Sequence, residues 1–301
     1  MCAKVDIAIL GKPYCRHELH YIAYLLSMPN VSLKYISDIS EAKNYSALIL
    51  LEKIEGDLLI ELLEEKDIKV LLEIPFANSF EEEVELLRRI RELDCEVFLP
   101  LLSRHHPTLV RFKAILQRKV LGEVFSIYIT LNFSNEYLRE EPSLKSSSLF
   151  SSGKILHQLV NTIDYVLWLD KDGDSQIDVW TVGKTKEREF LIVDAKLGNT
   201  LLTILSYACE NSSSSHKGCI KMEAVGFEKM LVWSGYEQSL ILEGDSTLDY
   251  IHWSTDPNEI IAKHFLEIIK GKSQYNLKDV FKSYEETLKF LQSNKIRKSV
   301  R

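Results

Sequence analysis

Short apolar, β-branched runs alternate with stretches of helical period through the first third of the chain, and this alternation constrains the fold more than any other feature. Val5-Asp6-Ile7-Ala8-Ile9-Leu10 ends at Gly11, after which Glu18 to Met28 places Leu19, Ile22, Ala23, Leu25 and Leu26 at helical spacing. Val31 to Ile36 reads as a second strand ending near Asp38, and Ala47-Leu48-Ile49-Leu50-Leu51 as a third. Asp57 to Lys66 has a helical pattern, Ile68 to Leu72 an extended one; Glu81 to Leu93 is an amphipathic helix and Cys95 to Leu102 a further strand. Parallel neighbours need a crossover connection, which a helix supplies, so this order predicts an α/β, doubly wound, Rossmann-like parallel sheet. It is a shortened one, because the stretch between Asp38 and Ala47 leaves no room for another helix and edge strand.

Beyond a predicted helix at Thr108 to Arg118 the period changes. Val124 to Leu131 is a long alternating run, and others follow at Ile177 to Val182, Leu201 to Ala208, Ile220 to Val225, Lys229 to Trp233, Ser239 to Glu243 and Thr247 to Trp253. Period-two strands on short turns predict a large, mostly antiparallel sheet with one covered face. Helices are expected at Val160 to Leu169, Asn258 to Ile269 and Leu277 to Leu291, and polar loops at Ser143 to Ser152 and Asn211 to Lys217. Two domains follow, residues 1–120 and 121–301.

A chain of 301 residues with 46% hydrophobic content can bury a core in each half. Its net charge of −7 supplies no basic field for nucleic acid. The five cysteines are scattered without Cys-x-x-Cys spacing, which argues against a disulfide framework and a zinc site and suits a reducing cytosol. His216 and His252 have no partner at metal spacing, so no metal is expected. With no apolar run long enough for a membrane span and no signal-like start, a soluble cytoplasmic protein is the expectation.

A dinucleotide-binding turn needs glycines for a tight bend and for close approach of backbone to pyrophosphate. Here Gly11 holds the first glycine position of Gly-x-Gly-x-x-Gly, while Pro13 and Arg16 stand at the other two. Pro13 has no N–H to offer, and Arg16 carries a long side chain where close approach is required. Lys12 and Arg16 either hold a phosphate by charge or belong to a repurposed surface turn. Asp38 follows the turn at about the distance of the acidic residue that binds an adenosine ribose in such folds.

Four further segments share an order: Glu73-Ile74-Pro75, Ser79-Phe80-Glu81-Glu82, Arg104-His105-His106-Pro107 and Leu121-Gly122-Glu123-Val124. With Ser151 to Leu156, Ile163 to Leu169 and Val179 to Gly183 behind them, the chain resembles the Gfo/Idh/MocA family of nicotinamide-dependent sugar and cyclitol oxidoreductases. The resemblance implies NAD or NADP as cofactor, with Gly11, Lys12, Arg16, Asp38, Glu73 and Pro75 around it. It also places Ile74 where the family's Glu-Lys-Pro motif has its catalytic lysine, and a hydrocarbon cannot move a proton. The family's Asp-x-x-x-His pair maps to His157 and Asn161, with Asp164 at a more structural aspartate. His157 is then either an acid–base group or a hydrogen-bonded histidine at a helix start. Arg104, His105 and His106 either line a substrate site or anchor a strand end and the domain interface; Tyr137 and Arg139 are substrate contacts by position alone.

One lost lysine, two lost glycines and a trimmed adenosine half predict a protein whose dehydrogenase activity is lost or altered. It would act as a ligand-sensing or partner subunit in sugar or secondary metabolism, binding a small molecule between its domains. The alternative is an active NAD(P)-dependent oxidoreductase using His157; non-redox chemistry in the same cleft is a third. The resemblance further implies a homo-oligomer, or a heteromer with an intact paralogue, formed through the open sheet, whose strands carry Trp180, Trp233 and Trp253 in either core or interface.

Overall fold

The computed structural model describes residues 4–13, 16–65, 68–77, 79–93, 95–134, 153–169, 176–184, 189–209, 219–235, 238–244, 247–272, 277–293 and 297–298. The chain forms two compact units that are not contiguous in sequence, as a boundary at 120/121 would make them. The first comprises Met1–His105, His157–Asp164 and Asp256–Gln292; the second comprises His106–Leu156, Tyr165–Thr255 and Ser293–Arg301.

In the first unit, strands β1 (Val5–Leu10), β2 (Val31–Ile36), β3 (Ala47–Leu50), β4 (Lys69–Leu72) and β5 (Glu96–Phe98) form a parallel sheet in the order β2-β1-β3-β4-β5. β1 pairs with β2 on one side and β3 on the other, so the connections leaving β1 and β3 turn to opposite sides between them. Helices α1 (Arg16–Ser27), α2 (Gly56–Glu64) and α3 (Phe80–Glu92) make the crossovers. Between β2 and β3 lies only a short 3-10 helix, Ile39–Asn44, which leaves β2 as the sheet edge. The expected strand from Cys95 to Leu102 shrinks to Glu96–Phe98, and Leu102–His105 forms a one-turn helix, α4. Pro100 supports that early stop, since it has no N–H for the ladder.

β3 is buried throughout and β1 nearly so, which is why both read as continuous apolar runs. A late helix, α7 (Pro257–Ile269), packs on this sheet beside α1. Ile7, Ile9, Tyr21, Leu25, Phe98 and Phe265 meet in one core cluster, and the Phe98 and Phe265 rings stack at 6.1 Å. Burial of such side chains contributes roughly 1.5–3 kcal/mol each. The last helix, α8 (Leu277–Ser293), meets α3 through Glu285, which pairs with Arg88, Arg91 and Lys289.

The second unit carries a nine-stranded sheet of β6 (Val124–Ser134), β7 (Gln176–Lys184), β8 (Glu189–Leu197), β9 (Thr200–Cys209), β10 (Cys219–Gly226), β11 (Met230–Ser234), β12 (Ser239–Gly244), β13 (Thr247–His252) and β14 (Arg297–Lys298). Its order is β13-β12-β11-β10-β6-β9-β8-β7-β14, antiparallel except where β6 meets β9 and β14 meets β7. Ile127, Ile129, Leu202, Ile204, Met222 and Ala224 point to the buried face. On the other face one row of cross-strand partners runs Tyr250, Ile241, Val232, Glu223, Tyr128. α5 (Pro107–Gln117) belongs to this unit, and Tyr165, on α6 (Gly153–Leu169), donates to the Leu109 carbonyl at 2.8 Å. Trp233 is core: it is buried, and its Nε1–H donates to Thr108 Oγ1 at 2.6 Å. Among the described residues no helix is long and apolar enough to cross a membrane.

Candidate functional site

Gly11, Asp38 and Glu73 follow β1, β2 and β4, so the parallel topology brings them to the carboxyl-terminal edge of one sheet. Ligands of open α/β sheets bind at this edge, where the strand order reverses. Gly11 has φ +96°, and a Cβ there would sit 2.9 Å from both the backbone N and the Cβ of Glu52. The close approach that glycine permits is thus taken up by the chain leaving β3. Lys12 is exposed beside it, Arg16 opens α1 with its side chain outside the described residues, and Glu18 lies buried in the first turn of that helix. A carboxylate in the first turn complements the helix dipole.

Glu73 is 5% exposed, and its backbone N–H extends the β4 ladder to the Leu50 carbonyl at 3.1 Å. Burial first, and then the Glu18 carboxylate, pushes its pKa up to about 8; the nearby Tyr21 hydroxyl works in the opposite sense. Ile74 is 6% exposed, and the Ile74–Pro75 peptide is cis. The chain beyond Pro75 is held by Glu83, whose Oε1 accepts the Phe76 N–H at 3.0 Å and the Tyr284 hydroxyl at 2.8 Å. Its Oε2 is buried with no hydrogen-bond partner among the described residues, and desolvation pushes this carboxyl up to about 7.

A cavity of about 390 Å³ opens between the ends of β1, β2 and β3 and α2. Leu10, Ile54, Leu58 and Leu62 form its apolar wall. Asp38, Glu52, Glu61 and Glu65 supply carboxylates, and Lys43 is the one cation among the described lining residues. Asp38 also caps the 3-10 helix, Oδ1 accepting the Ser40 N–H at 2.8 Å; hydrogen bonding from the Ser40 side chain first, and then from its backbone N–H, holds the carboxyl below its ordinary range.

Arg104 and His105 lie elsewhere in the first unit. Arg104 grips Asp164 through two hydrogen bonds, Nε to Oδ2 and Nη2 to Oδ1, each 2.7 Å; Ser283 Oγ donates to the same carboxylate at 2.7 Å. Asp164 is fully buried, so the guanidinium is committed to a structural pair. His105 is buried against Phe98, and its Nδ1 shares a hydrogen bond of 3.0 Å with Nδ1 of His264 on α7. Asn161 is buried on α6, and its backbone carbonyl accepts from Ser103 Oγ at 3.1 Å. His157 stands one turn earlier on that helix with its side chain outside the described residues, as Tyr137 and Arg139 are entirely. His106, in the second unit, hydrogen-bonds Thr108 at 2.7 Å. The predicted residues therefore form two groups, one at the sheet edge and one around Arg104 and α6. Sequence reasoning missed Glu18, Glu52 and Glu83. Glu83 alone left a signal, since it falls on the buried stripe of α3 next to Val84 and Leu87. No group of three or more His, Cys, Asp or Glu able to hold a metal occurs among the described residues.

No family model matches the chain and no curated protein matches it. Among solved structures it is similar to a dehydrogenase (MviM) from Clostridium difficile, at 16% identity and TM-score 0.72, covering 96% of this chain and 99% of that one. An inositol dehydrogenase homolog from Azotobacter vinelandii, complexed with NAD+, is 10% identical at TM-score 0.70, covering 97% and 95%. A super-repressor mutant of Gal80p from Saccharomyces cerevisiae is 12% identical at TM-score 0.71, covering 97% and 96%. At these identities the likeness is one of fold: the chain has the α/β fold of these structures, a parallel Rossmann-like sheet and a separate, mostly antiparallel one.

Proposed function

We infer that this chain is a divergent member of the Gfo/Idh/MocA family that no longer transfers hydride and works as a ligand-sensing or partner subunit in sugar or secondary metabolism. The observation that carries the reading is Ile74: a buried alkyl side chain stands where the family's lysine would move the substrate proton. The cofactor end supports it. A dinucleotide requires anion donors at the turn after β1, and this turn offers a proline, a glycine packed on Glu52, and Glu18 within the first helical turn. These residues do not fit a pyrophosphate. Gal80p, a neighbour known here through a super-repressor mutant, supports a regulatory use of the fold.

The exposed face of the nine-stranded sheet, with Tyr128 50%, Tyr250 57% and Leu201 63% exposed, supports a homodimer or a heteromer with a paralogue. We place the protein in the cytoplasm. Calorimetric titration with NADH and NADPH tests the reading: no binding is expected, and micromolar affinity for either nucleotide overturns it. The NAD+ complex of the Azotobacter neighbour favours the rival, an active NAD(P)-dependent oxidoreductase with His157 as acid–base group. Under that rival His157→Ala loses about 10²–10⁴-fold in kcat.

A further inference from the structure

We propose that the open edge of the parallel sheet docks a second copy of this chain, β2 against β2 in antiparallel register about a two-fold axis at Leu33, joining two five-stranded sheets into one. The interface belongs to the first unit alone and does not depend on which ligand the chain binds. β2 has β1 as its one sheet neighbour, and a short 3-10 helix leads on from it. A right-handed crossover to a further strand would lay a helix beside α1 and cover this side; here the side stays open, and an open edge is a template for pairing. Val5 N–H donates to the Asn30 carbonyl at 2.8 Å, so Asn30, and in alternation Ser32 and Lys34, turn their backbone groups toward β1. Val31, Leu33 and Tyr35 turn theirs outward, with the Val31 N–H taken by the Met28 carbonyl at 3.3 Å.

The flank of α1 over this edge is apolar. His20 Nδ1 lies 3.6 Å from the Asp256 carboxylate at the start of α7, so that side of α1 faces α7. Leu19, Ala23 and Leu26 run along the opposite flank and are exposed, Leu19 by 51% and Leu26 by 59%; Tyr35, on the sheet face that α1 covers, is exposed too. A second copy fits because the edge is complementary to itself. With the axis at Leu33, Leu33 meets Leu33 and Val31 meets Tyr35, an aromatic and β-branched pair. The outward groups match in this register: the two Leu33 residues exchange N–H and C=O, and each Tyr35 N–H meets the Val31 carbonyl of the second copy. On the other face Lys34 of the second copy lands on Ser32, whose neighbour in β1 is the half-exposed Asp6, already 3.0 Å from Lys4. A lysine therefore reaches over a small serine toward an acid, twice by symmetry. Moving the axis to Lys34 would instead set two ammonium groups opposite each other, which is unfavourable. The helices share the axis. α1, of twelve residues, returns antiparallel to β2, of six, over nearly the same length, about 18 against about 20 Å, so Leu33 lies close to the level of Ala23. Two copies of α1 then lie antiparallel, Leu19 against Leu26 of the second copy, with the positive end of each helix dipole beside the negative end of the other.

The test is sedimentation equilibrium of the full chain over a range of concentrations, with amide hydrogen exchange as second readout. Leu26→Lys changes an exposed residue, so it should leave the melting temperature in place and weaken association by about tenfold or more, since the symmetry applies the change twice. Lys34→Glu should weaken association about five- to tenfold, and adding Asp6→Lys should return it to within about twofold of the wild type. The Leu33 and Tyr35 amides should become protected as association rises, which contact through α1 alone would not produce. Tyr250→Arg, on the nine-stranded sheet, should leave all of these effects in place. Association unchanged by Leu26→Lys overturns the proposal, as do a charge swap that fails to restore it and Leu33 and Tyr35 amides that stay unprotected. Reduction to a monomer by Tyr250→Arg overturns it because all association would then run through the other sheet. A monomeric wild type overturns it as well, and leaves β2 to an extended segment of another protein.

Discussion

The guanidinium of Arg104 and the carboxylate of Asp164 meet in parallel, Nε on Oδ2 and Nη2 on Oδ1, each at 2.7 Å, with the arginine side chain 8% exposed and the aspartate 0%. Both charges are out of water, so each is tolerable only because of the other. The pair ties α6 to the turn after β5, and Ser283 adds α8 to the same carboxylate.

Removing the cation leaves a buried, unpaired aspartate. Arg104→Ala is expected to destabilise the protein by about 3–5 kcal/mol, read from urea denaturation. Arg104→Lys keeps the charge, loses the parallel geometry and should cost less. Equal stability of wild type and Arg104→Ala would mean that water reaches Asp164.

Stability should fall as pH rises through neutrality. Glu73 and Glu83 are pushed up to about 8 and about 7 from 4.5, so the folded state holds protons that the unfolded chain has released. The stabilisation from Glu83 is complete below pH about 4.5 and lost by about 7, on the order of 3 kcal/mol across that window. Glu73 extends the decline toward pH 8. Glu83→Gln keeps a carbonyl oxygen for Phe76 and Tyr284 and cannot titrate, so its stability profile should be flatter between pH 5 and 7. A wild-type profile that rises over the same interval would reverse the assignment.

The parallel sheet was legible because strands buried on both faces must be apolar along their length, as Ala47 to Leu50 are, and the alternating sheet because one face of β6 is covered. The missing edge strand was legible from length alone. Partnership was not. Arg104 and Asp164 lie 60 residues apart, and nothing in either local pattern assigns one to the other. Similarly, Ile261 and Phe265 mark an apolar helical face without saying which sheet covers it, and they pack on the first unit. The acids of the sheet edge were hidden because a glutamate in a helix or loop reads as a solvated residue until the fold buries it, as it does Glu18 and Glu83.

Gly11→Ala tests whether the turn after β1 is committed to the protein itself. The residue combines φ +96° with contacts of 2.9 Å to Glu52, so an added methyl is strained by conformation and by collision with backbone. A loss of about 1–3 kcal/mol in chemical denaturation is expected. Pairing it with Glu52→Ala should recover none of the conformational part and leave the clash with the Glu52 backbone N in place. A neutral Gly11→Ala would show that the loop after β3 yields, and with it that the space over Gly11 can be opened to a ligand.

Ile74→Lys separates the two defects that the proposed function invokes. The substitution restores the side chain of the Glu-Lys-Pro motif at a position only 6% exposed, so an ammonium enters a site now filled by hydrocarbon. A destabilisation of roughly 2–4 kcal/mol is expected, with a smaller loss at alkaline pH, where Glu73 ionises and the lysine gains a counter-charge. Because Glu18, Glu52 and Pro13 still occupy the turn that a pyrophosphate needs, calorimetric titration of this variant with NADH and NADPH should give no heat of binding. Micromolar binding by Ile74→Lys would instead show that the lysine alone controls cofactor access and that the acidic edge of the sheet does not exclude phosphate.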